Sequence, residues 1–330
     1  MKRASPTVAL GLGCLAALTF GGAACRPDFA PFNRVTSLRV LAIQSDPSLP
    51  TTGETATLTP LLYVPPDAAA PTFAWSWCPF PGAANDGYKC LVTEEDLNAM
   101  LASVGGAPVP PFDLGAGPTA ALSNSLDPAI LTAICSGQLP GQPARLDCTN
   151  GFPVQVKVTV ATDTDMLTAV ETVRLRFTPT VAPDPPIYGL DAPNTLPAIL
   201  DLATMMDGAP TVLGDTPVVT LPRDVVTKIR ADVDQAAVVE SYPGADDQGN
   251  PTTLTEHLFM TWFVESGETM RSRTSYLNDT TPFEDFQKNE WTPAKVKDYP
   301  PSTARLFVVI HDNRGGVSWA SGTVNLDPTP

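Results

Sequence analysis

Proline is the residue that most restricts this chain, filling 36 of its 330 positions, or 11% where a globular protein carries roughly 5%. Each proline lacks an N–H donor and holds φ near its own ring value, so helix interiors and central strands reject it. A chain this rich in proline folds as short strands with long connections, or does not fold. Hydrophobic content of 43% and a mean hydropathy of +0.02 are globular values and exclude the second outcome. The length accommodates two domains of roughly 150 residues.

Side-chain alternation locates the strands. "PVQVKVTVATD" sets Val154, Val156, Val158 and Val160 against Gln155, Lys157 and Thr159, the period of a half-buried strand. After the turn "DTDM", "AVETVRLRF" turns Val173, Leu175 and Phe177 inward and Arg174 and Arg176 outward. "TFAWSWCPF" places Phe73, Trp75 and Trp77 on one face, opposite Ala74, Ser76 and Cys78. "SLRVLAIQSDP" and "ETATLTPLLYV" are earlier strands around the turn cluster "SLPTTG". Residues 80–149 differ in texture. "TEEDLNAMLASVG" opens on a Thr–x–x–Asp cap with helical spacing at Leu97, Met100 and Leu101, and "SLDPAILTAICSG" is a second short helix ending at Gly137. This segment reads as an insertion within a β domain.

The N-terminus has the form of an export signal: Lys2 and Arg3, an apolar stretch at residues 8–20, then small residues to Ala24. The apolar stretch is too short to span a bilayer of ~30 Å as a helix. With Ala23, Ala24 and Cys25 at its end, the segment resembles a bacterial lipoprotein precursor, although Gly22 stands where leucine is usual. The resemblance implies cleavage before Cys25, acylation of Cys25, and an envelope location anchored in the membrane. Arg26 after the cysteine favours the outer membrane. An ordinary signal peptide cut at the same small residues and an uncleaved anchor are the other readings. Cys14 lies in the discarded signal. Four cysteines then remain, Cys78, Cys90, Cys135 and Cys148, an even set for two disulfides in an oxidising compartment. Of the three pairings, sequence proximity favours Cys78–Cys90 and Cys135–Cys148.

Removing the signal takes two basic residues from 20 and leaves 18 against 35 acidic, a net charge of −17. Such acidity excludes nucleic acid as a partner class.

The proline-dense stretch 178–197 reads as a stiff linker. Beyond it the order of the first half returns. "VVTKIRADV" is a strand, followed by the polar loop "YPGADDQGNPTT", the tryptophan strand "LTEHLFMTWFVESG" with Trp262, and the hairpin "ARLFVVIHDNRGGVSWASGTVNL". "AILDLATMM" is ambiguous, helical by propensity yet placed as an opening strand. Through "FAWSWC", "FMTWFV" and "VVIHDNRGGVSW", residues 36–326 resemble tandem immunoglobulin-like or PKD-like β-sandwich domains of bacterial envelope lipoproteins. A buried tryptophan on the third strand is typical of such sandwiches. The expected plan is a signal at 1–24, a tether at 25–35, a first sandwich at 36–177 with the disulfide-braced, partly helical insertion 80–149, the linker 178–197, and a second sandwich at 198–330. The resemblance implies binding, spacing or adhesion, not catalysis.

Catalytic signatures are absent. Neither His257, on the second tryptophan strand, nor His311 stands in a zinc spacing, and no nucleophile elbow, P-loop or dinucleotide fingerprint occurs. No organic cofactor is expected. One metal hypothesis arises from the expected topology. Loops "GADDQGN" and "HDNRGG" would share one end of the second sandwich and face the linker, gathering Asp184, Asp246, Asp247 and Asp312 as oxygen ligands for Ca²⁺. In "HDNRGG" itself, Asn313, Gly315 and Gly316 supply the positive φ a hairpin needs. Tyr88 and Trp291 are candidate binding anchors, with burial the expected state for Trp291. The leading functional expectation is a lipid-anchored, non-enzymatic binding or scaffold module for a protein or glycan. A spacer subunit of an envelope complex is the alternative, and a hydrolase without recognisable motif a distant one.

Overall fold

The strands form where the alternation lies. In the computed structural model, which describes residues 31–103, 106–137, 146–184, 186–206, 208–277 and 280–328, the first half contains β1 (Arg39–Asp46), β2 (Thr55–Tyr63), β3 (Thr72–Cys78), β4 (Asp113–Gly115), β5 (Ala120–Ser123), β6 (Phe152–Ala161) and β7 (Met166–Leu175). They pair antiparallel into two sheets of order β1–β2–β5 and β4–β3–β6–β7. The inward row of β6 is fully buried, and Trp75 and Trp77 of β3 face the same core. Each indole satisfies its N–H on a backbone carbonyl, Trp75 on Gly117 at 3.0 Å and Trp77 on Pro111 at 2.8 Å, so the large apolar rings are buried without an orphaned donor.

The second half follows with β8 (Asp201–Met206), β9 (Ala209–Val212), β10 (Thr220–Leu221), β11 (Thr227–Asp232), β12 (Ser241–Ala245), β13 (Pro251–Thr255), β14 (Leu258–Val264), β15 (Glu268–Thr269), β16 (Arg273–Tyr276), β17 (Lys288–Thr292), β18 (Thr303–Asp312) and β19 (Val317–Leu326). Two five-stranded sheets, β10–β19–β18–β14–β16 and β15–β17–β11–β8–β9, enclose a second core around Trp262 and Trp291. Read from β16, the first of these sheets repeats the order β4–β3–β6–β7 and adds β10, which runs parallel to β19. Both halves are therefore immunoglobulin-like sandwiches, with a tryptophan strand beside the terminal hairpin in each. "AILDLATMM" is the strand β8, because pairing with β11 overrides the helical propensity of its alanine, leucine and methionine.

Several expectations need correction. Residues 80–149 are not one insertion, since β4 and β5, one in each sheet, lie inside them. They divide into two excursions, one between β3 and β4 and one between β5 and β6. The end of the tether does not hang free either. β16 pairs with β14 only as far as Thr261, which leaves the end of β14 open. The Val35 N–H donates to Val264 O at 2.9 Å, the Val264 N–H donates to Asn33 O at 3.0 Å, and Asn33 reaches Trp262 O with its side-chain amide. Unpaired backbone groups of the second sandwich are thus satisfied by residues that precede the first. Cys25, the signal peptide and Arg26 lie outside the described residues.

Residues from Phe32 onward constitute one compact unit, and a third apolar cluster shows why. Val35, Ala42 of β1 and Tyr63 of β2 pack on Phe263, Phe307, Val309 and Val317 of the second sandwich. The β18 run "LFVVI" consequently buries both faces, Leu306, Val308 and Ile310 inside its own sandwich and Phe307 and Val309 against the neighbour. The Tyr63 and Phe307 rings meet edge to face at 6.3 Å. Arg305 lies 5.0 Å over the Tyr63 ring, pairs with Glu265 at 2.8 Å and donates to Val64 O at 3.3 Å.

Candidate binding site

Two helices occupy the excursions of the first sandwich. Helix α1 (Glu94–Ser103) starts where Thr93 Oγ1 accepts the Asp96 N–H at 3.1 Å and donates to Asp96 Oδ2 at 2.7 Å, the cap its sequence announces. Helix α2 (Pro128–Cys135) starts on Asp127, whose Oδ1 accepts the Ala129 N–H at 2.7 Å, with proline at the position that needs no donor. Cys78 is bonded to Cys90 and Cys135 to Cys148. The first bridge ties the excursion carrying α1 to the end of β3, and the second ties α2 to the approach to β6. Both helices are thereby fixed to the sandwich that carries them.

Between the helices an open crevice of about 30 Å³ is lined by carbon side chains, among them Phe80, Leu97, Met100, Ile130, Ile134 and Phe152. Met100 is 49% exposed and Leu91, whose N–H donates to Phe80 O, is 71% exposed. Tyr88 is half-buried in the same excursion, with φ at 54°. Trp291 is not an anchor. It is fully buried, and its indole N–H donates to Ser266 O at 2.7 Å.

The four aspartates of the calcium hypothesis do not converge, and among the described residues no group of three or more His, Cys, Asp or Glu side chains is placed to hold a metal ion. Asp184 and Asp247 are exposed. Asp246, at the tip of the β12–β13 hairpin, accepts from the Gln248 and Asn250 N–H groups and the Asn250 side chain, and these bonds hold its carboxyl below the usual range. Asp312 meets linker residue Asn194, and a protein cation already pairs with the carboxylates there. Arg314, two residues on and 1% exposed, pairs with Glu256 at 3.2 Å and Glu240 at 3.5 Å. Its guanidinium also donates to Ala192 O at 2.6 Å, Pro193 O at 2.8 Å and Asn150 Oδ1 at 3.3 Å, and lies 4.6 Å over the Tyr242 ring. Asp312 accepts from the Arg314 and Gly316 N–H groups at 2.7 and 2.8 Å and from the Asn194 side chain at 3.1 Å. The linker residues 192–197 are therefore not a free spacer. They are clamped between the sandwiches.

Crowding three carboxylates around one buried cation has an electrostatic consequence. Burial, then the charges of Asp312 and Glu240, push Glu256 up to about 7. Burial likewise raises Asp312 against its hydrogen bonds. The turn itself works differently from its sequence reading. Gly315 takes the positive φ of 101°, whereas Gly316 is required for space, since a Cβ there would sit 2.0 Å from Asp312 Oδ2. Asn313 contributes its side chain instead, donating to Tyr242 Oη and accepting the His257 N–H, each at 3.0 Å. His257 is exposed and precedes β14 rather than lying on it. His311 stacks on Phe259 at 4.6 Å, and burial, then Arg273, hold it down to about 4.

No family model matches the chain, and no curated protein matches it. Among solved structures it is similar to a chimeric titin Z1Z2–Z1Z2 tandem carrying a GRGDS peptide from fibronectin, at 11% identity and TM-score 0.26, covering 88% of this chain and 97% of that one. It is similar also to the N-terminal eight immunoglobulin domains of Down syndrome cell adhesion molecule, at 8% identity and TM-score 0.21, covering 88% and 25%. A third is Drosophila OTK extracellular domains 3–5, at 11% identity and TM-score 0.18, covering 90% and 97%. Scores this low carry no weight, and the immunoglobulin-like assignment rests on the strand order and the buried tryptophans.

Proposed function

We propose that this chain is a non-enzymatic binding or scaffold module of the bacterial envelope, anchored through lipid on Cys25, that presents α1 and α2 to another envelope component. The observation that carries this reading is the pair of disulfide-bonded excursions, which seat two helices around an apolar crevice lined in part by the exposed Met100, with Leu91 exposed on the same excursion as α1. Fixing a surface before binding lowers the ordering cost of association. Packing of the sandwiches through Tyr63 and Phe307 weighs against the spacer alternative, which needs an extended pair. The buried carboxylates Glu256 and Asp312 are engaged by protein groups, which weighs against a hydrolytic role for them.

The test compares capture from a detergent extract of the source envelope by the wild-type chain, by Leu91→Glu/Met100→Glu, and by Met166→Glu on β7 as a surface control. A partner held by wild type and control but lost by the double variant supports the helical platform. Equal capture by all three rejects it. Mass spectrometry of the N-terminal peptide tests acylation of Cys25.

A further inference from the structure

The α1–α2 crevice is apolar, has the one carboxylate Asp127 in its wall, and lies in a segment of acidic balance, and the combination describes the chemistry of what fits it. Every lining side chain except Asp127 is carbon-rich, so the crevice offers a glycan almost no hydrogen-bonding partner, while an aliphatic or aromatic tip loses nothing by entering it. About 30 Å³ holds the end of one side chain, the rest lying across the open mouth. Along the segment the charge is one-sided. Residues 79–137 carry Asp86, Glu94, Glu95, Asp96, Asp113 and Asp127 against the single base Lys89. Asp127 itself lines the crevice. Asp96 precedes the crevice residue Met100 by four positions on α1, the spacing that makes helical side chains neighbours. Asp127 also caps α2, a duty that asparagine performs equally well and without charge, and the Asp96 carboxylate accepts the hydroxyl of the α1 cap Thr93, a bond that an asparagine oxygen also accepts.

Resting on the reading of this platform as the docking site, we propose that its partner is a peptide segment that inserts one apolar side chain between α1 and α2 and sets lysine or arginine on both sides of it. The acidic segment attracts the flanking bases and repels acidic competitors, which gives the crevice selectivity that its small apolar area cannot supply.

The experiment follows the methionine methyl resonances of the full mature chain, with Met100 assigned from a Met100→Leu variant. Three synthetic peptides serve as probes: Lys-Lys-Leu-Phe-Lys-Lys, Glu-Glu-Leu-Phe-Glu-Glu and Lys-Lys-Ser-Ser-Lys-Lys. The expected result is a saturable shift of the Met100 methyl with the first alone. That shift weakens with salt, and its affinity falls about fivefold in Asp96→Asn/Asp127→Asn, the scale of two exposed ion pairs. An equal shift with the acidic peptide, or an unchanged affinity in the double variant, overturns the basic-flank chemistry while leaving the platform reading intact. A Met100 methyl that no peptide moves overturns the apolar insertion, whereas the platform reading fails only on the extract comparison.

Discussion

The C-terminal sandwich has no cysteine in residues 198–330 and encloses Trp262, Trp291 and Phe286 between two five-stranded sheets. The N-terminal one has sheets of only three and four strands, and both disulfides brace excursions that leave its strands. The same strand order is thus stabilised by different means. Where strands are many and β18 is covered on both sides, apolar burial suffices, at roughly 25 cal/mol per Å². Where the sheets are small and helices of ten and eight residues complete the core with Leu97, Leu101, Leu131 and Ile134, cross-links restrict the unfolded chain as well. Covalent bracing in this molecule sits where the chain leaves the strands of the first sandwich, with Cys135 and Cys148 themselves buried in its core.

The sharpest way to break that comparison is to remove one brace. Cys135→Ser/Cys148→Ser is expected to lose about 2–4 kcal/mol, with hydrogen exchange accelerating more at α2 than at β14 and β18. Exchange that accelerates equally in both sandwiches would show that the bridge stabilises the whole fold and not its excursion.

A smaller effect sharpens the comparison from within the first sandwich. Glu171 occupies the core-facing row of β7 with Leu167, Ala169, Val173 and Leu175, and burial pushes it up to about 7 from 4.5. Across that interval the folded chain keeps a proton that the unfolded chain releases, so this residue's contribution falls as pH rises from about 4.5 to 7. His311, held down to about 4, acts in the opposite sense up to 6.5 and is common to wild type and variant. Glu171→Gln is therefore expected to melt like wild type near pH 4.5 and above it at pH 8. Equal melting temperatures at pH 8 would contradict the burial of this carboxylate.

Much of the fold is legible in the sequence. The valine row of β6, the tryptophan strands, the Thr93–Asp96 cap and the Asp127–Pro128 start each express one local rule that tertiary structure did not override. What escaped notice was short or two-sided. β4 and β5, at three and four residues, are too brief for alternation to register, so the excursions merged into one insertion. The run "LFVVI" did signal burial on both faces, and it was the available clue that the second sandwich has a neighbour. The seam around Arg314 left almost no trace, because "HDNRGG" satisfies the rules for an ordinary turn. Its aspartate invited a cation, and the cation present is the arginine two residues away. A linker judged stiff from its prolines proved instead to supply carbonyls, which any residue provides and no side-chain pattern reveals.

The Tyr63–Phe307 cluster and the Arg314 clasp lock the two sandwiches into one unit. Calorimetric melting of the full mature chain and of Arg314→Met tests this lock most directly. A single transition is expected for the wild type, and for the variant a loss of about 3–5 kcal/mol, the scale of carboxylates left buried without their partner, with the transition dividing in two. Two separate transitions in the wild type, or a variant that melts as the wild type does, would contradict it.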